Sequence, residues 1–371
     1  MDEFDVVVIG AGPAGAAAAL AARRKGATVL LLDRDDFPRD KPCGDGIAAE
    51  ALDVLKDLGV PDAAGGYPAV PRLRLVGPGG AAVARELPRA AHTVPRRVFD
   101  ARLVAAAVAA GAELRRHAVR KIAETGGGVV VDGRFRGHVL IGADGATSIV
   151  RRAVGETVNP PGHLAFALRG YAPTANTDEQ LIVTTRQQWP AYAWEFPIGD
   201  GTANVGYGEV LRGRALSRAY LERRLREMLP GAEPTGLRGH HLPLSTRRPA
   251  PVRGRVLLAG DALSLINPFT GEGIFYAVLS GALAGEAAAR RDPAAYRIAL
   301  RRRLGRHLRH SRLVALLSRE PRVVDAAVRA ADRDGRVFRR MVELGLGDGV
   351  FDLRTIGRIL GETVRRHPAT P

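Results

Sequence analysis

Apolar residues follow several different rhythms along this chain. Residues 5–9 read Asp-Val-Val-Val-Ile, a β-branched run ending at Gly10, and an alanine-rich stretch from Pro13 to Lys25 stops at Gly26. Thr28 to Leu32 make a second apolar run, closed by Asp33. Strand, turn, helix and strand in this order predict a βαβ unit, because continuously apolar strands are those covered on both faces of a parallel sheet. Further on, the pattern predicts a helix over 101–110 and a hairpin pairing 129–131 with 134–136 around Asp132-Gly133. A buried strand over 139–141 then runs into Gly142-Ala-Asp144-Gly145.

From Leu164 to about Leu244 the rhythm shifts to alternation, at 165–171, 180–186, 192–197 and 202–208, with one helix near 217–229. That period of two predicts a separate antiparallel sheet inserted into the α/β unit. Another buried strand follows at 256–258, then a helix over 273–290 and a helical, basic remainder over 294–366.

Composition narrows the class. With 371 residues, 46% of them hydrophobic and 25% charged, the chain is expected to fold around substantial cores. No stretch approaches the ~18 uncharged apolar residues of a spanning helix, and the acidic N-terminus carries no apparent signal peptide. The single cysteine, Cys43, excludes an internal disulfide and fits a reducing cytoplasm. The net charge of +16 is uneven, with 20 arginines and nine acids from Arg290 onward. Aromatic residues are scarce there, so no stacking platform for bases is present and nucleic acid is not expected as a partner.

The chemistry concentrates in three glycine-rich segments. Gly10-Ala-Gly12-Pro13-Ala14-Gly15 follows one strand and opens a helix, and Asp33 ends the next strand. This is a dinucleotide fingerprint: the glycines allow a tight turn, a close approach to a pyrophosphate and helix–strand packing, while the acid accepts from ribose hydroxyls. Gly142-Ala-Asp144-Gly145 and Leu258-Ala-Gly260-Asp261 each follow a buried strand, and the latter continues to Asn267-Pro268-Phe-Thr-Gly271-Glu-Gly273-Ile274. The order resembles the DG and GD motifs of flavoproteins similar to p-hydroxybenzoate hydroxylase. That resemblance implies FAD, with Asp261 on the ribityl chain and the amides of Gly271 to Ile274 facing the flavin ring. It also implies Arg96, Arg34, Val119 and Gly44 as cofactor contacts. It divides the chain into a Rossmann-like FAD-binding domain (1–75, 96–160 and 246–290), a substrate-binding β-sheet domain (76–95 and 161–245) and a basic helical C-terminal segment (291–371).

Two further segments, Phe37-Pro-Arg-Asp-Lys41-Pro-Cys43-Gly44-Asp45-Gly46 and Tyr192-Ala-Trp194-Glu-Phe196-Pro197, resemble the geranylgeranyl reductase family. One position departs from the archaeal pattern: Trp189 stands where that pattern has a proline, and the proline is Pro190. In Tyr192, Trp194 and Phe196 every second residue is aromatic, so the rings share one face of a strand, either as core or as a wall for an apolar substrate. The resemblance implies saturation of C=C bonds in a prenyl chain, Cys43 beside the isoalloxazine as a catalytic or gating residue, and NADPH or ferredoxin as electron donor. Rival readings are a flavin monooxygenase, a non-catalytic prenyl carrier and a halogenase, the last weakened because its active-site lysine has no candidate but Lys41, inside the FAD loop. The histidine pairs 240–241 and 307 with 310 lack companion ligands, so no metal is expected. Leu300, Leu304 and Leu308 form a stripe beside a basic face, fitting either a docked helix or one lying on an anionic bilayer.

Overall fold

The computed structural model describes residues 1–213 and 216–364. It opens with β1 (Asp2–Ile9), α1 (Pro13–Arg24) and β2 (Val29–Asp33), then β3 (Gly46–Ile47), α2 (Ala49–Asp57), β4 (Ala69–Val76) and β5 (Ala82–Thr93). Next come α3 (Arg96–Ala109), β6 (Glu113–Arg116), β7 (Ile122–Thr125), β8 (Gly128–Val131), β9 (Phe135–Gly142) and α4 (Ile149–Ala153). The middle third holds β10 (Leu164–Pro173), β11 (Glu179–Thr184), β12 (Ala191–Pro197), β13 (Thr202–Val210), α5 (Arg218–Met228) and β14 (Thr235–Pro243). The last part comprises β15 (Val252–Arg253), β16 (Val256–Leu258), a 3₁₀ turn over Gly260–Leu263, α6 (Ile274–Ala289), α7 (Pro293–Leu317), α8 (Pro321–Arg333), α9 (Gly335–Leu346) and α10 (Leu353–Val364).

The first sheet runs β15-β16-β9-β1-β2-β6, with β7 and β8 attached to the first half of β9. Its central strands β16, β9, β1, β2 and β6 are parallel. Val6, Val7, Val8 and Leu30 to Leu32 are wholly buried, as strands covered by helices on both faces require. The hairpin arm at 134–136 and the strand at 139–141, read separately in the sequence, are one strand, β9. Helix α3 starts at Arg96, earlier than the apolar pattern suggests, because the Arg96–Asp100 ion pair supports its first turn.

The second sheet runs β14-β10-β13-β12-β11-β4-β5-β3. It is mixed rather than antiparallel, since β11 lies parallel to β4. The domain boundary expected at 75/76 falls inside this sheet: β4 belongs to it from Ala69, where buried Val70 and Leu73 alternate with exposed Arg72 and Arg74. Even Gly46 and Ile47 pair with β5 at its edge.

The C-terminal helices divide between the two cores. Leu300, Leu304 and Leu308 of α7 pack into the first, so this stripe is docked and is not available to a bilayer. Val328, Ala331, Phe338, Met341 and Ile359 of α8 to α10 pack against Leu73, Val83, Leu87 and Ala91 of the second sheet. The expected segment 291–371 is therefore helical as far as it is described but forms no core of its own, and residues 365–371 lie outside the described residues.

Helix α6 lies directly on α1. A Cβ on Gly281 would stand 2.1 Å from the carbonyl oxygen of Ala14, and one on Gly285 equally close to that of Ala18. We expect Gly281→Ala to cost roughly 2–3 kcal/mol, because rigid backbone rather than a flexible side chain blocks the methyl. Gly357→Ala in α10, with open space around it, should instead stabilise by about 0.5–1 kcal/mol. Urea unfolding of the two variants checks the opposite signs.

Candidate active site

A cavity of about 860 Å³ is lined by both sheets, a size within the roughly 300–1,000 Å³ of small-molecule sites. The glycine fingerprint forms one end. Gly10 has φ +95°, and a Cβ there would meet the Ala143 oxygen at 2.4 Å. Gly15 permits the α1 backbone to press on the Gly10 carbonyl, while Gly12 faces the cavity with only the Arg39 guanidinium near, at 3.6 Å. Asp33 accepts from the Ala11 amide at 2.7 Å and from that of Asp35 at 3.0 Å, which aims its carboxylate across the turn. Arg39 stands 3.9 Å from Asp33 and 3.3 Å from Asp100, yet its buried Nε has no hydrogen-bond partner. An open Gly12, the α1 N-terminus and a buried, unsatisfied guanidinium nitrogen fit an anionic pyrophosphate. Arg34 and half-buried Val119 line the cavity near Asp33.

The DG and GD segments serve different purposes. The Asp144 carboxylate accepts from the Ser148 hydroxyl at 2.5 Å and from the amides of Ile149 and Val150, so it caps α4 and fixes Gly145 at the cavity wall. Asp261 faces the cavity. Burial raises its pKa, and the charges of Lys41 and Arg96 oppose that rise. Lys41 Nζ lies 2.8 Å from His240 Nε2. Burial pulls the lysine down to about 8, and burial together with the Lys41 charge pushes His240 down to about 3, leaving it a neutral acceptor.

At the N-terminus of α6 the expectation needs correction. The amides of Gly271 to Ile274 are not all free to face a ring. Gly271 N donates to Asn267 O at 3.0 Å, Glu272 N to the Thr270 hydroxyl at 3.3 Å, and Phe275 N to the Glu272 carboxylate at 2.8 Å. An uncapped helix start leaves donors unsatisfied, and Glu272 supplies the cap locally. Burial pushes this carboxyl up to about 7. Gly271, Gly273 and Ile274 still line the cavity.

Cys43 sits where the two sheets meet. Burial raises its thiol pKa, and the neighbouring Arg96 charge opposes that rise. Arg96 is held bidentate by Asp100, at 2.6 and 2.8 Å. Asp45 adopts a left-handed conformation, φ 60°, with its side chain wholly buried. Its Oδ2 accepts from the Tyr171 hydroxyl at 2.7 Å and the Asn204 amide at 2.8 Å. Asn204 also donates to Cys43 O and accepts the Trp194 indole N–H, each at 2.8 Å. Tyr192, Trp194 and Phe196 line the cavity in a row, with successive ring centroids 5.8 and 6.5 Å apart. Their neighbours Ala191 and Ala193 point the other way, into the core beneath α5. Gly206 makes room for the Trp194 ring, which a Cβ there would touch at 2.1 Å.

The fold thus brings the predicted residues to one cavity, except Gly15 and Gly260, which act in packing behind it. Arg39, Asp45, Tyr171, Asn204 and His240 escaped the sequence reading as site residues. Arg39 and Asp45 lie inside a quoted segment, whereas the other three come from the second sheet with no local motif to mark them.

Residues 3–184 match the FAD binding domain family. The chain is 34% identical over 348 residues to a menaquinone reductase of Mycobacterium tuberculosis, covering 86% of this chain and 85% of the relative. It is 35% identical over 309 residues to digeranylgeranylglycerophospholipid reductase 1 of Methanopyrus kandleri, with 77% and 80% covered. A crystal structure of a geranylgeranyl bacteriochlorophyll reductase-like protein from Thermoplasma acidophilum superposes with a TM-score of 0.82 over 98% of this chain and 97% of that one, at 20% identity, a likeness of fold.

Burial pushes the Asp45 carboxyl up to about 6, against the hydrogen bonds of Tyr171 and Asn204. An acid whose pKa rises on folding stabilises the fold fully below its unfolded value, near pH 4, and loses that contribution as pH climbs through 6. Asp45→Asn cannot ionise, so relative to wild type the variant should gain up to about 3 kcal/mol between pH 4 and pH 7. Urea unfolding at the two pH values measures this difference, and a constant difference would refute it.

Proposed function

The chain belongs to the geranylgeranyl reductase family of FAD-dependent oxidoreductases, and from that premise we propose that it saturates C=C bonds in an isoprenoid chain. The observation that carries the substrate class is the row Tyr192, Trp194 and Phe196 facing the same cavity as the glycine cradle. A prenyl chain has no charge to recognise, so it binds by burial of apolar surface, at roughly 25 cal/mol per Å².

In this reading Gly10, Gly12, Pro13 and Ala14 hold the pyrophosphate, with Gly15 packing α1 behind them, Asp33 the ribose and Asp261 the ribityl chain, with Arg39 neutralising phosphate charge. Reduced FAD, when bound, supplies the hydride for one alkene carbon. The other carbon needs a proton, and we assign it to the Cys43 thiol. Burial keeps that thiol protonated, and the positive charge of Arg96 stabilises the thiolate it leaves. Asn204 and Tyr171 hold the loop so that the sulfur keeps its place. The substrate candidates are a menaquinone tail, a geranylgeranyl lipid and a polyprenol. NADPH and ferredoxin are the candidate electron donors, and anaerobic mixing with each identifies which one bleaches the flavin.

Among the described residues no helix is long and apolar enough to cross a membrane. For a lipid-borne substrate we assign peripheral bilayer contact to the C-terminal end of α7, where exposed Leu313, Leu316 and Leu317 lie beside exposed Arg309 and Arg312. Co-sedimentation with anionic vesicles should fall on Leu316→Asp.

A single turnover tests the reaction. The protein is reduced anaerobically with dithionite, mixed with geranylgeranyl diphosphate or a menaquinone, and extracted for mass spectrometry. The expected product carries two added hydrogens per saturated bond and forms as the flavin reoxidises. Cys43→Ala should slow that step ~10²-fold or more while leaving the flavin spectrum and dithionite reduction unchanged. A flavin that stays reduced with every prenyl compound yet oxidises promptly in air would overturn the reading in favour of a monooxygenase.

A further inference from the structure

Beyond Tyr192 lies a second hollow of about 100 Å³ that the reaction above does not use. Tyr192 forms the threshold between the two spaces. It lines both, and its hydroxyl donates to Thr270 O at 2.7 Å, fastening β12 to the loop before α6. Leu75, Ile182, Leu242 and Met341 also line both spaces, so their apolar surface is continuous past the tyrosine. Trp189, 8% exposed, lines this hollow but not the first, and its indole N–H donates to Ser318 O at the end of α7.

Polar groups on these walls are engaged within the protein. The Thr184 hydroxyl donates to Val76 O at 2.7 Å, and the Asn267 amide donates to Leu344 O at 2.9 Å and to the Tyr276 hydroxyl at 3.1 Å. A hollow with apolar walls and committed polar groups gives water few hydrogen bonds and suits hydrocarbon. Its size is on the scale of a single isoprene unit.

We propose that this hollow receives the end of the isoprenoid chain beyond the reacting bond, with Trp189 as its end wall, so that it measures chain length. The proposal rests on the prenyl-reductase reading above and adds a specificity subsite to it. Burial of one more apolar unit is then available only to a chain long enough to pass Tyr192.

Ala315 lines the hollow from α7, away from the glycine cradle, and Ala315→Phe fills it. The anaerobic turnover is measured with geranyl diphosphate and geranylgeranyl diphosphate on wild type and variant. We expect kcat/KM for the geranylgeranyl compound to fall roughly 10-fold or more while the geranyl compound stays within about 2-fold, the scale on which apolar pockets discriminate. Trp189→Ala, a second variant that removes the end wall, is assayed with geranylgeranyl diphosphate and its homologue one isoprene unit longer, and should shift preference toward the longer chain. Equal losses on both substrates with Ala315→Phe, or an unchanged length preference in both variants, would overturn the subsite. If wild type reduces neither compound, nor a menaquinone, a geranylgeranyl lipid or a polyprenol, the prenyl reading itself fails and the subsite with it; if it reduces one of those only, the same two variants are compared on short- and long-chain forms of that compound.

Discussion

The contact of α1 with α6 governs where everything else lies. Gly281 and Gly285 let the α6 backbone rest against the carbonyls of Ala14 and Ala18 with no side chain between. Helices that close are nearly locked in position, so the N-terminus of α1 and the N-terminus of α6 open on the same cavity. Two positive helix ends in one space favour a ligand carrying negative charge in two places. The 3₁₀ turn that carries Asp261 is tied into the same unit, since Gly260 N donates to Ser280 of α6 at 2.9 Å. Moving either helix would shift the Gly10–Gly15 turn, Asp261 and the loop before α6 together.

The second sheet supplies the opposite chemistry. Its aromatic row is apolar, and its polar residues mainly hold the loop that carries Cys43. Asn204 and Tyr171 reach that loop from the neighbouring strands β13 and β10, so the loop hangs from the second sheet. Burying Asp45 there is unfavourable, which is why its carboxyl is pushed up to about 6 even with two donors on one oxygen. What this arrangement provides is position: the cysteine, the arginine beneath it and the aromatic wall keep a common geometry. The helices α8 to α10 complete the enclosure by covering β4 and β5 and bringing Met341 to both hollows.

The sequence by itself determined the elements whose signal is local. The βαβ unit, the three glycines with Asp33, the strand-then-glycine segments at 142–145 and 258–261, and the alternating rings of β12 were all legible because period and short spacing encode them. The strand β4 was not read, because the irregularity between Val70 and Arg72 breaks its period of two. Tertiary structure alone decided which face of each element meets which partner. It turned the aromatic row toward the cavity instead of the core, and buried the leucine stripe of α7 against the first sheet. It also let Asn267 O and the Thr270 hydroxyl take up the amides of Gly271 and Glu272, which the motif suggested were free. The pairs Lys41–His240, Asp45–Asn204 and Trp189–Ser318 join residues 199, 159 and 129 positions apart. No periodicity along the chain encodes such contacts, because they depend on how two sheets and a helical cover pack, which is set by volume and burial across the whole molecule.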